Sequence, residues 1–155
     1  MNIAKVLGAA AILAAVAIGV PSPAGAGGPT APATPIAELS GTYTFTVQTG
    51  NTTTWTITPC GPGCATVAAT NSSAGNAPYT GQAQLAGDRW NMTAARPDAL
   101  TCDDNSRAQG TTIYSWGAGT FAGTAFSQGD PGVCGRTDPD GLRGPTSEFT
   151  LTKVG

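Results

Sequence analysis

The chain has 155 residues, 10% of them charged, a formal net charge of -2 and no histidine. Seven scattered cations give none of the clustered basic face that phosphate backbones need, so nucleic acid is not an expected partner. Without histidine the commonest general base and a common metal ligand are missing, which leaves carboxylates as the acid–base candidates.

The amino terminus places Lys5 before an unbroken small and apolar run over 6–20, then Pro21-Ser22-Pro23 and Ala24-Gly25-Ala26. This layout predicts a signal peptide over 1–26, cleaved after Ala26. The run is 15 residues, short of the ~20 a membrane-crossing helix needs, so no stable span is expected after cleavage. The 129 residues that follow suit one domain; without Lys5 they carry six cations against nine acids, a net charge of -3. Residues 27–38 are a Pro/Gly-rich flexible leader, and 39–155 the single β domain.

Between Glu38 and Asp88 lie 49 residues without a charge. Tyr43, Phe45 and Val47, then Trp55, Ile57 and Pro59, alternate with Thr42, Thr44 and Thr46, then Thr54, Thr56 and Thr58, which is strand periodicity with an apolar inner and a threonine outer face. Turn signals divide the domain into strands near 41–48, 52–60, 64–70, 80–86, 89–95, 111–116, 120–127 and 147–154. The pattern predicts an all-β antiparallel meander of about eight strands, closed or nearly closed into a barrel, with a two-sheet sandwich as the alternative. Closure is favoured because uncharged threonine-rich strands would be exposed to pairing with other chains at an open edge.

Four cysteines, Cys60, Cys64, Cys102 and Cys134, follow the export signal, and three pairings are possible. In C-G-P-G-C at 60–64 a three-residue loop sets two cysteines across a hairpin, which favours Cys60 with Cys64 and Cys102 with Cys134. That leaves no free thiol and no metal set, and no cofactor motif is present.

Asp103, Asp104, Asp130, Asp138 and Asp140 all fall in turn-rich segments, where Asp serves backbone hydrogen bonding. They supply the alternative of a carboxylate-dependent hydrolase acting on cell-wall glycan. The aromatics are first of all barrel filling. If some line a cavity, Trp90 and Met92, then Tyr114 and Trp116, are the candidates, because each pair shares a strand face.

T-W-T-I-T-P-C-G-P-G-C-A-T-V at 54–67, D-R-W at 88–90, the lone Cys102, Y-S-W at 114–116, V-C-G at 133–135 and F-T-L-T-K-V at 149–154 resemble small exported mycobacterial proteins of unknown function. The same layout is similar to the extracytoplasmic part of some mycobacterial serine/threonine kinases. The resemblance covers about residues 39–154, nearly the whole mature chain, and implies a secreted or cell-envelope location in an actinobacterium, two disulfides and a sensing or binding role, with no catalytic residue. The expected function is therefore a non-enzymatic module that binds an envelope component, a small apolar ligand or a protein partner. A purely structural surface protein is the remaining alternative.

Overall fold

A computed structural model describes residues 38–137 and 141–154. The predicted signal peptide and most of the leader lie outside the described residues. The domain is all-β and every strand pairing is antiparallel. The strands are β1 Gly41–Val47, β2 Thr52–Gly61, β3 Cys64–Thr70, β4 Tyr79–Ala86, β5 Arg89–Thr101, β6 Arg107–Gly117, β7 Ala122–Gly129, β8 Leu142–Arg143 and β9 Ser147–Val154.

Neighbours in sequence pair from β1 through β7, and β9 then joins β7 to β1. Eight strands thus close into a barrel, and the two-residue β8 lies outside it, paired only with β7 at Gln128–Arg143 and Gly129–Leu142. Closure satisfies the backbone groups that open edges would expose. Thr44 stands between Thr54 of β2 and Thr152 of β9, and Thr46 between Thr52 and Thr150, so the outer wall is a neutral threonine ladder.

The alternation read from the sequence is the inside–outside alternation of this wall. Tyr43, Phe45, Trp55, Ile57, Val67, Trp90, Met92, Tyr114, Trp116, Phe149 and Leu151 are buried, interleaved with Ala65, Ala69, Ala83, Ala94 and Ala125. Trp55 is the hub: its ring stacks on Phe45 at 4.8 Å and meets Tyr114 and Trp116 edge-on at 5.4 and 5.7 Å. Large rings from some strands thus fill the space that alanines leave on the others, as a small barrel needs. Pro59 is tolerated near the end of β2 because β1 pairs only as far as Ile57, so its missing N–H costs no second ladder.

Both disulfides are formed as predicted, Cys60–Cys64 with Cα atoms 5.1 Å apart and Cys102–Cys134 with 5.3 Å. The first staples the β2–β3 hairpin on the outer face. The second joins the end of the β5–β6 hairpin to a short 3-10 turn, Val133–Gly135, between β7 and β8.

The β5–β6 hairpin is longer than the sequence suggests. The gap expected between strands 89–95 and 111–116 contracts to 102–106, because a register shift between Arg96 and Leu100 lets Leu100 pair Ala108 and Thr101 pair Arg107. The resulting arm is anchored by Leu100, which is buried. Gly129 permits this: a Cβ there would stand 2.5 Å from Leu100 Cδ1.

Candidate ligand cavity at the barrel mouth

The connections sort by length to the two ends. One end has the tight turns 62–63, 87–88 and 118–121; the other has 48–51, 71–78, 102–106 and the long 130–146 connection. At the tight-turn end Trp90 stacks on Trp116 at 6.4 Å, and Leu85, Ala118 and Phe121 pack against the core. The opposite end opens into a cavity of about 510 Å³.

Three segments build its rim: Ser72 and Asn76 of the 71–78 connection, Leu100 of the arm, and Leu142 and Pro145 of the β8 segment. Phe45, Tyr79, Tyr114 and Ala125 form the inner wall and floor. The opening arises because β7 pairs β9 only through Ala125 and then pairs β8 at Gln128, so the sheet splays at the mouth.

Tyr79, Tyr114 and Arg96 of the lining belong to a chain of polar groups that continues behind it to Trp55 and Asp98. Trp55 Nε1–H donates to Tyr79 Oη at 3.2 Å, and Tyr114 Oη–H donates to Tyr79 Oη at 2.8 Å. Arg96 Nη1–H reaches Tyr114 Oη at 3.5 Å, and its guanidinium lies 4.7 Å over the Tyr79 ring. Arg96 Nη2 pairs with Asp98 Oδ1 at 3.0 Å, with only 13% and 14% of the two side chains exposed. Asp98 Oδ2 accepts the Ala77 N–H at 2.7 Å, which binds the 71–78 connection to β5. Burial pushes the Tyr79 hydroxyl well above the usual phenol range; the neighbouring Tyr114 adds to this, while Arg96 and the Trp55 hydrogen bond act against it.

The four candidates named from the sequence come together as two inward rungs, Trp90 opposite Trp116 and Met92 opposite Tyr114. Only Tyr114 lines the cavity; Met92, its partner on the same rung, is buried away from it, and Trp90 and Trp116 are sealed at the far end. Alternation along a strand reports facing but not depth, so it could not separate these rungs. Sequence reading missed Tyr79, Arg96 and Asp98. Arg96 was within reach, since it continues the inward series Trp90, Met92, Ala94 on β5.

Asp103 and Asp104 lie in the β5–β6 turn. The exposed Asp103 pairs with Arg136 at 3.1 Å, and Asp104 accepts both the Oγ–H and the N–H of Ser106, which hold its carboxyl below the usual carboxylate range. Asp138 and Asp140 lie outside the described residues. Among the described residues no group of three or more His, Cys, Asp or Glu side chains could hold a metal ion. A second concavity, about 570 Å³, is a shallow groove on the outer wall across β1, β9 and β7, lined by Thr46, Thr124, Glu148 and Thr150.

Fold and site together define an eight-stranded antiparallel barrel with a cavity of small-molecule size at one end. No protein family, no curated protein and no solved structure matches the chain.

Proposed function

We propose that this protein is an exported, non-enzymatic binding module whose barrel mouth takes a small, largely apolar molecule of the cell envelope. The carrying observation is the cavity of about 510 Å³, which is within the range of small-molecule sites and ends on a buried aromatic floor with a few convergent polar groups. A solidly packed barrel would serve a purely structural role equally well, and this barrel is packed at one end only.

Two disulfides, and no helix among the described residues long and apolar enough to cross a membrane, are compatible with an extracytoplasmic protein. The signal-peptide pattern over 1–26 and the resemblance to small exported mycobacterial proteins support the finer reading of export to the envelope.

The test is to incubate the purified chain with envelope extract and identify retained molecules by mass spectrometry, beside a Thr53→Trp variant. Thr53 lines the cavity opposite Phe45, so an indole there fills the mouth. Retention by the native chain and loss in the variant is the expected result. Equal retention by both, or none by either, would sink the proposal.

A further inference from the structure

We infer that the buried end of the ligand carries an oxygen acceptor, a carboxylate or a carbonyl, and no hydrogen-bond donor. The inference deepens the binding function proposed above and rests on it.

The Tyr79 and Tyr114 hydroxyls lie 2.8 Å apart, both residues line the cavity, and they are 9% and 1% exposed. One O–H is used between them. The other groups that touch the pair are the Trp55 indole N–H, 3.2 Å from Tyr79 Oη, and an Arg96 N–H, 3.5 Å from Tyr114 Oη. Neither can accept a hydrogen bond. Whichever hydroxyl donates across the 2.8 Å contact, the hydrogen of the other one has no acceptor among the described residues.

The shortage extends along the floor. Among the described residues Asp98 is the one acidic group bonded to this network, and one of its oxygens is engaged by Arg96 and the other by the Ala77 amide. Arg96 Nε is buried without a partner. A buried donor without an acceptor carries the full desolvation cost of an unmade bond, so a site of surplus donors is complementary to a ligand that brings lone pairs. Tyr79, like any phenol, keeps its proton at neutral pH, and burial shifts it further in that direction, so it stays a donor. Above this floor Phe45, Val47, Leu100 and Leu142 offer an apolar wall for an alkyl or aromatic body. An amine head would set N–H groups against O–H and N–H groups, and would meet the Arg96 charge.

Three probes of matched alkyl length separate the chemistries: octanoate, methyl heptyl ketone and octylammonium, each titrated into the full chain and followed by amide NMR shifts and calorimetry. The expected result is binding of octanoate and the ketone at least about tenfold tighter than octylammonium, with shifts centred on Tyr79 and Tyr114. Octanoate against the ketone tells whether the acceptor is anionic or neutral. Tyr79→Phe and Tyr114→Phe each keep one hydroxyl and should keep the preference; the double variant removes both and should narrow it several-fold for the neutral ketone, on which the Arg96 charge acts least. An unchanged ketone preference would overturn the role of the hydroxyls. If that variant does not fold, the native ratios decide alone. Equal binding of all three in the cavity would overturn the acceptor inference and leave the binding function standing. Absence of any shift at cavity residues with millimolar probe would overturn the binding function itself.

Discussion

Cys102 is joined to Cys134 across 32 positions of sequence, and this bond ties the tip of the β5–β6 arm to the connection that carries β8 along the cavity rim. The Arg136–Asp103 pair beside it is exposed at the surface and adds little by comparison. The disulfide is thus the main covalent constraint on the mouth. Replacing both cysteines by alanine should cost about 4 kcal/mol by the loop-entropy relation, against about 2 kcal/mol for Cys60 and Cys64, whose loop is far shorter. Denaturant unfolding of the two double variants checks the order. Hydrogen exchange should quicken around 130–136 and 142–145 in the first and stay local to 60–64 in the second.

Asp98 holds Arg96 on one side and the Ala77 amide on the other. Asp98→Ala strands a largely buried guanidinium and should destabilise the barrel by about 2–3 kcal/mol, below the fully buried range because both groups retain some exposure. Asp98→Asn keeps the shape and one acceptor oxygen and should cost less. A larger loss for Asn than for Ala would refute this account of the pair.

Stability should decline at alkaline pH. Burial of Tyr79 raises its pKa, so above about pH 10 the unfolded chain releases a proton that the folded chain retains. The contribution is complete below the unfolded value and is lost as pH rises towards the folded one, at about 1.4 kcal/mol per pH unit for one such group. Urea midpoints measured from pH 8 to 11 should fall only above pH 10, and Tyr79→Phe should flatten the slope.

Gly81 lies diagonally from Met92 on the β4–β5 pair; a Cβ there would stand 2.7 Å from Met92 Sδ and 3.2 Å from Ala94 Cβ. Gly81→Ala should therefore cost about 1–3 kcal/mol through overpacking. In a Met92→Ala background the same change fills space and should cost less, which a double-mutant cycle on chemical unfolding would show. Additive effects would mean that methionine moves aside freely.

Much of the fold was legible because it is written in short-range pattern. Alternation identified inward Tyr43, Phe45, Trp55 and Ile57, and the C-G-P-G-C spacing identified the Cys60–Cys64 staple, since both depend on residues a few positions apart. The arm and β8 were less legible. The strands read from the sequence stop at 95 and resume at 111, yet Leu100, buried against Gly129, holds β5 and β6 together well past the register shift. That stabilisation comes from a segment some thirty residues away.

The sequence by itself determined that this is an all-β domain with one apolar and one threonine face, because side-chain direction in a strand alternates with a period of two whatever the surroundings. Only the tertiary structure decided that β9 returns to β1 and closes the wall, that Trp90 and Trp116 seal one end, and that Tyr79, Arg96 and Asp98 meet at the other. Those are contacts between distant parts of the chain, set by packing and by hydrogen-bond satisfaction rather than by local pattern.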